Sequence, residues 1–115
     1  MKKFLVLYRA PVSANEQMAN ASPEQIKAGM DAWMKWASKA GPAIVDLGMP
    51  LGNGKRVNAS VNASKEDYGG ATVTGYSILQ ANSMDRVTEL LKGHPHLGQP
   101  EFSIEVFEGL PMPGM

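Results

Sequence analysis

The chain has two histidines, His94 and His96, set two apart in "KGHPHLGQP", residues 92–100, with Pro95 between them. Three chemistries suit such a pair. Neutral imidazoles bind metals well, but two ligands flanking a rigid proline chelate only in extended backbone. A lasting site also needs a third ligand, and Asp46, Asp67 or Glu101 would have to come from afar. A second reading is a helix ending, with Pro95 enforcing the stop and a partly charged imidazole facing the helix dipole. The third makes His94 a general acid/base in a pocket, since an unperturbed imidazole titrates near pH ~6.5. The residues alone leave all three open.

Asp46 interrupts an apolar run, "AIVDLGM". A carboxylate there must be paired, or face solvent or a pocket. Arg9, at the end of the first apolar run, is the natural partner; its planar fork would alternatively hold a substrate carboxylate. Tyr8 and Tyr76 fall on strands expected to be neighbours. They would either line a cleft with their hydroxyls or pack across the strands. "GNG" at 52–54 lacks the remainder of a dinucleotide fingerprint, and no GxSxG, HExxH or P-loop occurs in the sequence. No cofactor is expected.

Composition narrows the classes. The chain is 115 residues long, a single domain over 1–115, with hydrophobic residues at 43%, enough for one ordinary core. Eleven basic and eleven acidic residues cancel, without the clustered basic stripe of a nucleic-acid binder. There is no cysteine, which excludes disulfides, thiolate nucleophiles and cysteine metal sites and fits a cytoplasmic protein. "MKKFLVLYRA" superficially resembles a signal peptide. Its apolar run, Phe4 to Tyr8, is shorter than an h-region and is closed by Arg9. No segment approaches the ~18 apolar residues of a membrane span, so neither nucleic acid nor membrane is an expected partner.

The elements that must position these side chains follow from periodicity. "KKFLVLYRA" reads as a central strand, apolar on both alternating faces, and "PVSANEQMANA" as a loop without a period. "SPEQIKAGMDAWMKWASKAG" reads as a helix with Ser22 as N-cap, Pro23 first, Gln25 completing a capping box and Gly41 as the stop. Its expected core stripe is Ile26, Met30, Trp33 and Ala37, with Met34 beside it and Trp36 off the stripe, over a sheet edge or a dimer partner. "AIVDLGM" is a second strand. Gly52-Asn53-Gly54 signals a tight turn in a small hairpin, and the near-repeat "VNASVNAS" (57–64) a solvent-facing strand or loop. "GGATVTGYSILQA" is a third strand. "NSMDRVTELLKG" is a helix capped by Asn82 or Ser83, and "EFSIEVFEG" the final strand. The order, β-α-β-(hairpin)-β-α-β, implies an α+β, ferredoxin-like βαββαβ antiparallel sheet with both helices on one face. The other face, apolar and uncovered, predicts a homodimer.

Taken together, "KFLVLYRA", the "W…AG" helix ending at Gly41, and "GGATVTGYSILQANSMDRVTELLKGHPHL" leading to "IEVFEG" resemble the YCII-related family, including its DGPF-type branch, over almost the whole chain. The resemblance implies a dimeric α+β barrel, with lactone-processing enzymes among the relatives. It also implies a histidine on the first helix and an Asp-Pro pair after the second, forming a dyad near the dimer interface. Those positions fall at about Met30 and at His94-Pro95, so this chain carries neither dyad residue, and "KEDYGG" stands near where DGPF would. Two functions follow as expectations. One is an enzyme-like small-molecule binder, with His94 as acid/base and Arg9, Asp46, Tyr8 and Tyr76 around an anionic or lactone-like ligand. The other is a non-catalytic dimeric sensing or interaction module in which both histidines only end a helix.

Overall fold

The computed structural model describes residues 1–57, 63–65 and 72–114. It is a mixed α+β domain built on a four-stranded antiparallel sheet. The strands are β1 (Lys2–Ala10), β2 (Ile44–Asp46), β5 (Thr72–Ala81) and β6 (Ser103–Glu108), in the spatial order β2-β5-β1-β6. A separate pair, β3 (Lys55–Val57) and β4 (Ala63–Lys65), forms a small antiparallel ribbon. Its arms lie beyond the expected Gly52-Asn53-Gly54 turn, where Asn53 takes a positive φ of 56°. Of "VNASVNAS", 58–62 lie outside the described residues, as do Gly69 to Ala71 of the expected third strand and the "KEDYGG" neighbourhood from Glu66 onward.

The two strands apolar on both faces, β1 and β5, are the central ones. Period-2 alternation sends Phe4, Val6, Tyr8, Leu79 and Ala81 to one face, where they are buried. Trp36 and Ala40 of helix α2 (Pro23–Ala40) and Val87 and Leu91 of α3 (Met84–Leu91) close over them. Each large side chain fully buried here contributes ~1.5–3 kcal/mol. Leu5, Leu7, Tyr76, Ile78 and Phe107 alternate to the opposite face, half-buried or exposed, Phe107 at 51%.

Two local expectations are corrected. "PVSANEQMANA" contains a helix, α1 (Ala14–Asn20). The Ser13 hydroxyl caps it by accepting the Glu16 N–H, and Gln17 Nε2 donates to the Val12 carbonyl. Only Ala14 of α1 is buried, so no apolar period marks it. In α2 the core stripe is Trp33, Trp36, Ala37 and Ala40, whereas Ile26 and Met30 are exposed. The helix meets the sheet with its C-terminal half and overhangs with the other. Trp36, placed off the stripe by the sequence reading, is in the core. Its indole N–H donates to the Leu90 carbonyl at 2.9 Å, which ties α2 to α3. The start of α2 follows its sequence signals: Ser22 and Gln25 form the reciprocal capping box.

Candidate functional site

α3 ends at Leu91, Lys92 caps it, and Gly93, at φ 76°, turns the chain back. The His94 N–H donates to the Leu91 carbonyl, and this delivers His94 to the core rather than to solvent. Its side chain is 2% exposed and sits among three aromatic rings. Tyr8 stacks on it at 5.1 Å, and Trp36 and Trp33 meet it edge-on at 4.4 and 4.5 Å. Nδ1 accepts the backbone N–H of His96 at 3.0 Å, so His94 is the N-cap of the 3-10 turn Pro95–Gly98. An accepting Nδ1 assigns the neutral tautomer with its proton on Nε2. That nitrogen is buried without a hydrogen-bond partner among the described residues. Burial, and secondarily the neighbouring His96, push the His94 pKa down to about 4. At neutral pH the imidazole is uncharged, which corrects the partly charged helix-end reading. It caps a turn, but through its lone pair.

His96 turns the other way. Its Nε2 lies 2.9 Å from the Arg9 carbonyl, and its ring packs against Tyr8 and Phe102. Burial lowers its pKa, opposed by hydrogen bonds to the Arg9 and Ser103 backbone. It pins the segment after α3 to the C-terminal end of β1, beside β6. No group of three or more His, Cys, Asp or Glu among the described residues is arranged to hold a metal ion, and Asp67 lies outside those residues.

The expected Arg9–Asp46 pair is not formed. Arg9 Nε pairs with Glu105 of the neighbouring strand β6. Asp46 is used locally: Oδ1 accepts the Gly48 N–H at 2.9 Å, and Oδ2 accepts the Tyr76 hydroxyl at 3.0 Å. That bond is the main reason the Tyr76 pKa is raised. Gly48 has φ 85°, and a Cβ there would overlap the Tyr76 carbonyl oxygen. Segment 47–50 is therefore laid flat along β5, with a bridge from Pro50 to Gly75 and a bond from the Leu51 N–H to the Thr74 carbonyl.

Tyr8 and Tyr76 lie on adjacent strands but do not face each other. Tyr8 is registered with Gly75, and Tyr76 with Leu7, so the two rings alternate to opposite faces. Ser77 Oγ lies 2.6 Å from the Leu47 carbonyl, which can only accept, and 2.8 Å from Tyr8 Oη. The proton order is thus Tyr8 to Ser77 to Leu47, a buried chain linking β1, β5 and the 47–50 segment.

These elements frame a cleft of about 460 Å³ between α1, the overhanging half of α2 and segment 47–50. Tyr8, Trp33, Tyr76 and His96 are on its walls, with Met18, Met30, Met34 and Met49 around them. No aspartate, glutamate, lysine or arginine is among the described residues that line it, and neither His94 nor Arg9 is. His94 stands behind Tyr8 and Trp33, supporting the wall. The sequence reading missed the methionines and the α1 side of the cleft. Met30 and Met34, four apart, look like core periodicity unless the overhang of α2 is known.

No protein-family model matches the chain, and no curated protein matches it. No helix among the described residues is long and apolar enough to cross a membrane.

Proposed function

We propose that the protein is a small-molecule-binding homodimer that holds an uncharged, largely apolar ligand in the cleft between α1, α2 and segment 47–50. The observation that carries this reading is the cleft itself. Its volume of about 460 Å³ is of the size that takes ligands of moderate mass. Its walls combine methionine and aromatic surface with a few polar groups, among them Gln17, Gln25 and His96. With no charged side chain on the described walls, an anion would gain no ion pair on leaving water. A lactone-like or aromatic neutral molecule fits that chemistry better than a carboxylate. His94, neutral and sealed behind the wall, acts by shaping the cleft, which favours the binding-module reading over acid/base catalysis by His94.

The finer fold belongs to the same proposal. A β2-β5-β1-β6 order, with α2 and α3 on one face, corresponds to a ferredoxin-like domain interrupted by α1 and the β3–β4 ribbon. Leu5, Leu7, Ile78 and Phe107 on the open face would pair with the same residues of a second copy about a twofold axis, giving the barrel that the YCII-related resemblance implies. Without cysteine, the chain suits a cytoplasmic setting.

The test uses N-phenyl-1-naphthylamine, a neutral apolar fluorophore, with the wild type and Gly29→Phe. Gly29 lines the cleft, and a Cβ there meets nothing within 4 Å, so phenylalanine fills the cleft without disturbing the core. Saturable binding by the wild type, lost in Gly29→Phe with unchanged circular dichroism, supports the reading. Absence of binding, or equal binding by both, refutes it. Light scattering tests the homodimer separately: Leu5→Lys should convert a dimer to a monomer, and a monomeric wild type sinks that part.

A further inference from the structure

The chain has eight methionines and no cysteine. Six of the described methionines are more than half exposed. Met1 and Met112 lie near the chain ends, and the other four, Met18, Met30, Met34 and Met49, all line the one cleft. They come from α1, from two successive turns of α2 and from segment 47–50, so three separate pieces of chain place thioethers around the same opening. Met84, by contrast, is partly buried against the core. Unbranched, polarizable side chains suit a wall that adapts to apolar ligands. Without a thiol to react first, exposed thioethers are also the sulfur most open to two-electron oxidants.

We propose that Met18, Met30, Met34 and Met49 form a reversible oxidation site, and that hydrogen peroxide, acting on it, closes the cleft to apolar ligands. This rests on the cleft being a ligand site. In each step a thioether sulfur attacks the peroxide O–O bond. A sulfur–oxygen bond forms, the second oxygen leaves as water, the sulfur is oxidised by two electrons and the peroxide is reduced. The product sulfoxide is polar and a strong hydrogen-bond acceptor. An apolar ligand seated on it would strip its water and itself offer no donor in return. Methionine sulfoxide reductases reverse the change, so the binding surface can be restored without new synthesis.

The experiment follows the full-length protein through a peroxide titration, reading oxidation by peptide mass and binding by N-phenyl-1-naphthylamine fluorescence. The expected result is that the four cleft methionines oxidise well before Met84. Affinity for the fluorophore should then fall about tenfold or more, the effect of one or two unmet polar groups, and return after treatment with the reductases. Peroxide should not change the affinity of the variant with all four replaced by leucine (M18L, M30L, M34L, M49L) from its own untreated value, whatever that value is, although Met1 and Met112 still oxidise. Oxidation of the four at the rate of Met84, or oxidation without loss of affinity, overturns the proposal. Failure of the untreated wild type to bind the fluorophore is a different result: it removes the ligand site itself, and the switch with it.

Discussion

Acid should destabilise this protein through His94. The ring has a folded pKa of about 4 against an ordinary 6.5, so the unfolded chain binds the proton more readily. The folded pKa is depressed; stabilisation is therefore complete above the unfolded value and is lost as pH falls through the folded one. Each pH unit between the two values is worth about 1.4 kcal/mol, so the gap amounts to about 3 kcal/mol in full, of which about 2 kcal/mol has gone by about pH 4.5. That is a large part of a typical domain stability of ~5–15 kcal/mol. The geometry gives the same sign independently. A proton on Nδ1 would set a donor against the His96 N–H, 3.0 Å away, and place a cation among Tyr8, Trp33 and Trp36. Urea unfolding at about pH 7 and about pH 4.5, on wild type and His94→Asn, isolates the effect. Asparagine retains an oxygen able to cap the turn but does not titrate. The variant loses ring packing at both pH values, roughly 2 kcal/mol, but its stability should fall by about 2 kcal/mol less than that of the wild type between them. Equal losses would refute the assignment. So would a wild-type His94 ring proton resonance that titrates near pH 6.5.

Three further outcomes follow from the walls of the cleft. Gly48→Ala should cost more than about 2 kcal/mol and disturb segment 47–50, because it combines a positive φ with overlap on the Tyr76 carbonyl; thermal unfolding and the amide spectrum around Tyr76 report it. Asp46→Asn should bring the Tyr76 phenol back toward its ordinary pKa, since the Asp46 bond is the main cause of its rise, and an ultraviolet titration reads the phenolate directly. Tyr8→Phe should cost about 1 kcal/mol in chemical unfolding while leaving Ser77 donating to the Leu47 carbonyl; a loss many times larger would mean that the proton chain runs differently.

Much of the frame was legible because single residues announce it. Ser22, Pro23 and Gln25 signal the start of α2 by groups that bond within three residues, and β1 and β5 show their central place by apolar side chains on both faces. What failed depended on contacts distant in sequence. Whether Ile26 and Met30 or Trp36 and Ala40 face the core turns on where the helix crosses the sheet. That is set by Trp36 reaching Leu90 across 54 positions and by Tyr8, Trp33 and His94 packing together. The Arg9–Asp46 pairing failed similarly: β6 runs beside β1 on the side away from β2, so Glu105 is within reach of Arg9 and Asp46 is two strands away.

The histidine pair shows why local spacing could not choose among its three readings. Pro95 keeps the imidazoles from sharing one target, and the turn it enforces sends His94 into the aromatic core and His96 to the β1 carbonyl edge. Both rings then use a nitrogen on backbone, the first by accepting and the second at Arg9. A ring committed in this way to fixing the chain has less to offer a substrate proton, and Nε2 of His94, without a partner among the described residues, is enclosed by rings rather than opened to the cleft. The chemistry of the site is therefore carried by what the pair holds in place. Tyr8 and Trp33 are the rings His94 packs against, they form part of the cleft wall, and the four thioethers complete it. On this account, replacing His94 should alter ligand affinity through the shape of that wall, with no pH dependence of its own above about pH 5, well above the folded pKa of about 4.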